Sequence, residues 1–129
     1  MVNRDIAFAV GPHVEAADTM TRAAAFVRRT LPMLLKGEAN VDTISRDVLA
    51  VVTELVDITA RHRCSIDILG RVVFDGAHVT VSVGEMCGPL PAPDEEPGLY
   101  LVRRLADDLG QYCGDAGGYV IWASVPVRS

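Results

Sequence analysis

The sequence predicts an α+β protein, a two-layer sandwich in which a β-sheet carries helices on one face. Three observations predict it. Two long stretches repeat apolar residues at spacings of three and four, the period of a buried helix face. Short β-branched runs lie between turn residues, and two of them flank Asp75-Gly76, a strong hairpin signal. The 129 residues make one domain, and the 50% that are hydrophobic supply a packed core.

Ile6 to Val10 reads as an edge strand ended by Gly11-Pro12. From Val14 to Leu35 the pattern is helical, with Met20, Ala24, Val27, Leu31 and Leu34 on one stripe and Pro32 predicting a break or kink near the end. Lys36 to Asn40 is a connector. Asp42 is the expected N-cap of a second helix running to about Arg63, whose stripe is Ile44, Val48, Val51, Leu55 and Ile58. Ile66–Phe74 and His78–Val83 are strands, and Val79, Val81 and Val83 alternate with polar residues, so one face is buried. Gly84 to Pro97 holds four prolines and the acidic triplet Asp94-Glu95-Glu96 and must be a loop. Gly98 to Leu109 reads as a third helix with Leu101, Val102, Leu105 and Leu109 on one face and Gly110 as its C-cap. Tyr119 to Val127, with Trp122, is the closing strand.

Composition excludes several classes. No apolar run approaches the roughly 18–20 residues of a membrane span. Met1 to Asp5 lacks the basic flank and apolar core of a signal peptide, so a cytoplasmic protein that does not engage a membrane is expected. A net charge of -5 argues against direct nucleic-acid binding. An aromatic content of 5% argues against a stacking platform for bases. Cys64, Cys87 and Cys113 lack metal-ligand spacing and read as free thiols in a reducing compartment. His13 and His78 read as solvent-facing, and Arg22, Arg28 and Arg29 as a solvated helix face or a partner contact.

Val52-Thr53-Glu54-Leu55-Val56-Asp57-Ile58-Thr59-Ala60-Arg61-His62 is followed by Val81-Ser82-Val83-Gly84-Glu85-Met86-Cys87-Gly88-Pro89. Pro97-Gly98-Leu99-Tyr100-Leu101-Val102 and Gly117-Gly118-Tyr119-Val120-Ile121-Trp122 complete the series. In this order and spacing the segments resemble the ATP-binding boxes of the histidine-kinase-like ATPase fold. They are most similar to the small bacterial anti-sigma-factor serine kinases and their actinobacterial relatives. The resemblance covers nearly the whole chain. It implies a mixed, mostly antiparallel sheet covered on one face by about three helices. It also implies ATP with Mg²⁺ as the family's cofactors, dimerisation, and a sigma factor or another regulatory protein as partner, with an antagonist protein as competitor. It makes Glu54 the catalytic base of an active relative. Glu85, Gly98, Leu99, Arg61 and His62 fall at nucleotide-binding positions.

The chain departs from the family pattern where the chemistry is. The asparagine that holds magnesium is Ile58, which offers no oxygen to a hard cation. Asp57, one position away, is the substitute ligand the sequence offers, rotated about 100° around the helix. The adenine-binding aspartate is Glu85. Two glycines of the second box become Cys87 and Pro89, and the lid's first glycine becomes Glu96. The acidic triplet would face a triphosphate, and like charges repel. Cys87 also admits a reading as a redox switch. The expectation is therefore an anti-sigma-factor-like regulator that works by protein partner switching, with a degenerate ATP and Mg²⁺ site that is weak or lost. The alternative is an active serine/threonine kinase that phosphorylates an antagonist through Glu54. A third reading is a sensor of another small ligand in the same cleft.

Overall fold

The computed structural model describes residues 4–11, 15–63, 67–115 and 117–127. Strand β1 (Arg4–Val10) is followed by α1 (Ala16–Leu34), α2 (Val41–Arg61), β2 (Ile68–Phe74) and β3 (His78–Met86). Then come α3 (Gly98–Leu105), β4 (Asp108–Cys113) and β5 (Tyr119–Pro126). The five strands form one sheet in the order β1-β2-β3-β5-β4, and every pair is antiparallel. The expected α+β architecture is therefore present, but the sheet is antiparallel throughout and not mixed.

Strand alternation divides the sheet into two unlike faces. Ile68, Val72, Val79, Val81, Val83, Ile121 and Ala123 point to the helices and are fully buried. The opposite face carries Leu69, Arg71, Ser82 and Tyr112, and no described helix packs on it. Helix α2 lies against β3 and β5 on one side and α1 on the other. Its predicted stripe, Ile44, Val48, Val51, Leu55 and Ile58, is buried as a unit. Phe8 of β1 meets Phe26 of α1 with ring centroids 6.4 Å apart, a tilted aromatic pair that ties the first strand to the first helix.

Several points differ from the sequence reading. Strand β3 runs on to Met86, so Gly84–Met86, read as the start of a loop, are strand, paired with β2 at Gly84 and with β5 at Met86. Asn40, not Asp42, occupies the N-cap position of α2, and Asp42 falls in the first turn, where a carboxylate still suits the helix dipole. Pro32 does not break α1, because it lies on the solvent side of the last turn and the helix runs on to Leu34. Helix α3 stops at Leu105, and the residues read as its last turn begin a strand that the sequence reading missed. Leu109 faces Ala123, and Gly110 faces Trp122 across the β4–β5 pair. Gly110 is thus no helix cap. A Cβ there would come within 2.7 Å of the Trp122 ring, which lies across the glycine. The misreading arose because Leu105 and Leu109 keep helical spacing, while Asp107-Asp108 gives no stop signal. His78 is also not simply solvent-facing: it is half-buried, with Nε2 3.1 Å from Asp107 Oδ2. His13 and Cys64 lie outside the described residues. Among the described residues no helix is long and apolar enough to cross a membrane.

The close fit of Trp122 over Gly110 gives a direct check on β4. Gly110→Val would be harmless beyond a helix end, but in the strand it displaces the indole. The expected outcome is a shift in tryptophan emission with a loss of about 1–3 kcal/mol in urea unfolding.

Candidate functional site

The C-terminal half of α2 gathers the polar residues that its apolar stripe leaves over. Glu54, Asp57 and Arg61 recur at spacings of three and four beside the buried stripe and so stand together on the last two turns. His62 ends the helix, its N–H donating to the carbonyls of Ile58 and Thr59. Opposite stands the segment leading into α3. Its turn is closed by Glu95 and Glu96 N–H groups donating to Ala92 O, at 2.9 and 3.1 Å. That turn splits the acidic triplet. Asp94 stays exposed and accepts a hydrogen bond from Tyr100 Oη at 2.7 Å, Glu95 is exposed, and Glu96 turns inward.

Glu96 is the centre of the cluster. Arg61 Nη1 donates to Oε1 at 2.7 Å and Nη2 to Oε2 at 2.6 Å, a two-pronged guanidinium–carboxylate pair. His62 Nε2 lies 2.9 Å from Oε1. Arg61 reaches back to Asp57 Oδ2 through Nη2 at 3.0 Å and Nε at 3.3 Å. The Glu96 side chain is only 7% exposed, against 40% for Arg61. The Arg61 guanidinium, and after it His62, holds the Glu96 carboxyl below the usual glutamate range against the opposing effect of burial. Glu54 is driven the other way. Burial raises its pKa, Asp57 and Glu96 add to the rise, and Arg61 counters it. Its carboxylate lies so close to Gly98, at the start of α3, that any Cβ on residue 98 would overlap Oε2.

The structure brings Glu54, Gly98, Arg61 and His62 together but leaves Glu85 apart. After the irregularity in the β3–β5 register, Met86 turns into the core and Glu85 turns towards the β4–β5 connection. There Glu85 Oε1 accepts the Gly118 N–H at 2.7 Å, and the residue borders a hollow on the helix-free face. Leu99 and Ile58 are fully buried core residues. Asp57 is engaged by Arg61. Cys87 and Pro89 border a cavity of about 230 Å³ beside Arg61 and His62. That is below the roughly 300 Å³ at which small-molecule pockets begin. The 87–97 loop is fastened over this end of α2. Cys87 N donates to His62 O at 2.7 Å, Cys87 Sγ to Arg63 O at 3.0 Å, and Leu90 N to Gln111 Oε1. Cys87 and Cys113 are exposed free thiols. Arg22, Arg28 and Arg29 are exposed on α1. Among the described residues no three His, Cys, Asp or Glu side chains are grouped to hold a metal ion.

In the sequence Glu96 stands out as one of three acids and as the residue at the resemblance's first lid glycine, not as the partner of Arg61 and His62. The signal that singles it out is Pro97-Gly98 immediately after it, which starts α3 and fixes the direction in which residue 96 points. No protein-family model matches the chain, and no curated protein matches it.

Two outcomes follow from this geometry. Glu96→Ala should lower unfolding free energy at pH 7 by about 1–3 kcal/mol, the range for hydrogen bonds to charged groups. Half-exposed Arg61 can rehydrate, which favours the lower end. Because the folded Glu96 pKa lies below the ordinary 4.5, the contribution is complete above that pH and is lost as pH falls through the folded value. Wild type and variant should therefore converge in acid, as read by urea unfolding at stepped pH. Ile58→Asn places an amide oxygen in a fully buried position. It should cost about 2–4 kcal/mol in the same assay, with no protection by Mg²⁺.

Proposed function

We propose that this chain is a regulatory protein of the anti-sigma-factor type that acts by holding and releasing a protein partner, on a histidine-kinase-like ATPase fold whose nucleotide site is no longer used. The observation that carries the reading is the Glu96 carboxylate seated on Arg61 and His62. In the resemblance these two residues form the basic end of the nucleotide box. A carboxylate from the chain's own lid neutralises them, so a phosphate would have to displace an intramolecular, two-pronged ion pair. The neighbouring residues support the same reading. Ile58 offers packing where a magnesium ligand would stand, and Glu85 faces another part of the molecule. The residues present thus fit ATP with Mg²⁺ poorly.

The antiparallel sheet with three helices on one face is compatible with the proposed fold family. In this reading the domain docks a sigma factor or another regulatory protein through its surface. An antagonist protein competes for the same surface, and release follows from that competition without phosphoryl transfer. The fastened 87–97 loop keeps the α2 end rigid, so little ordering cost falls on association there.

Calorimetric titration with ATP and ADP, with and without Mg²⁺, tests the proposal. No binding is expected up to millimolar nucleotide. Micromolar, Mg²⁺-dependent binding would overturn it. Transfer of labelled phosphate to an antagonist protein, abolished in Glu54→Gln, would put the kinase reading in its place.

A further inference from the structure

The helix-free face of the sheet has an apolar row that the nucleotide-site argument does not use. Strand register places one residue of each strand side by side. Ala9 pairs with Leu69, and Leu69 with Gly84. Gly84 abuts Val120, whose Cγ2 would lie 2.8 Å from a Cβ on residue 84, and Val120 pairs with Tyr112. The row runs edge to edge across the sheet. Its flanks stand up, with Leu69 60% and Tyr112 53% exposed, while Gly84 between them has no side chain. The result is a trough of about 740 Å³ with an apolar floor. Single exposed apolar residues are ordinary, but a contiguous row of them on an uncovered sheet face marks an interaction surface.

The charges around the trough select the occupant. Among the described residues Asp67, Glu85 and Asp115 border it together with one cation, Arg71, which pairs with Asp5 at 2.7 Å, while Glu85 accepts the Gly118 N–H. A second copy of this chain would bring two such acidic rims together, and the chain as a whole carries a net charge of -5. Phosphate-bearing surfaces are disfavoured for the same reason. We infer that this face docks a basic, amphipathic segment of a partner protein. Its apolar side chains would lie along the Leu69–Gly84–Val120–Tyr112 row, and its lysines or arginines would meet the acidic rim. The inference rests on the regulator reading and gives the partner's chemistry.

The chain's only tryptophan, Trp122, lies in the next row of the same face, opposite Ser82 and Gly110, and reports on occupancy. The probe is a synthetic amphipathic Leu/Lys helix titrated into the full chain, with a Leu/Glu helix of the same pattern as control. Saturable change in Trp122 emission with the Leu/Lys helix alone, weakening as salt rises, is expected. The Leu69→Ser/Tyr112→Ser double variant should lose about tenfold in affinity. Asp115→Lys, a single change in the β4–β5 turn that leaves the apolar row intact, should weaken binding as well. The inference is overturned if neither helix binds, if both bind alike, or if both variants bind as wild type does. A wild-type dimer that the double variant dissociates would also overturn it, by giving the face to a second copy. Silence from the Leu/Lys helix alongside silent nucleotide calorimetry removes this face and leaves the regulator reading. Mg²⁺-dependent ATP binding removes that reading whichever way the helix titration goes.

Discussion

Helix α2 is the constraint on which the rest of the molecule depends. It is pressed between α1 and the sheet, and Ile44, Val48, Val51, Val52, Leu55, Val56 and Ile58 are buried along it. A helix enclosed on two sides has little surface left for polar groups. Asp42, Arg46 and Asp47 lie on its N-terminal half, and Glu54, Asp57, Arg61 and His62 form the cluster at its C-terminal end. Core burial also accounts for the apolar residue at position 58. Ile58 completes the apolar stripe and is fully buried, so an asparagine there would have to find a buried hydrogen-bond partner.

The cluster holds opposed charges in a shared environment. Arg61 sits between Asp57 and Glu96 and serves both, while Glu54 is flanked by the same two carboxylates and compensated only through Arg61. One guanidinium therefore steadies three acids and fastens the 87–97 loop to α2. Under the proposed function this makes the loop a fixed wall and not a lid that opens for a ligand. The trough on the helix-free face, by contrast, is covered by no described helix. Glu85 links the two parts of the molecule. Its displacement from the α2 end is also what adds a carboxylate to the acidic rim of the trough.

The candidate site was only partly legible in the sequence. Periodicity identifies the helix, but Arg61, His62 and Glu54 stand out on it only through the resemblance of their segment to an ATP-binding box. That Glu96 binds Arg61 and His62 was not legible, because the pairing joins residues about thirty-five positions apart and depends on how a proline-rich loop turns. Leu69 carried a signal that could have been used: in a strand where Ile68, Gly70 and Val72 face inward, it is an apolar residue on the outward phase.

By itself the sequence determined the α+β class, the two long helices, the Asp75-Gly76 hairpin and the inward phase of β3. Each of these is written in local periodicity or turn chemistry and needs no distant partner. Tertiary structure alone decided that Asp108–Cys113 is a strand, that Glu85 leaves the α2 end, and that Glu96 enters it. Strand β4 exists because β5 offers it an edge, with Trp122 lying over Gly110. A short segment with helical leucine spacing follows whichever partner satisfies its backbone groups, and only the assembled sheet supplies that partner.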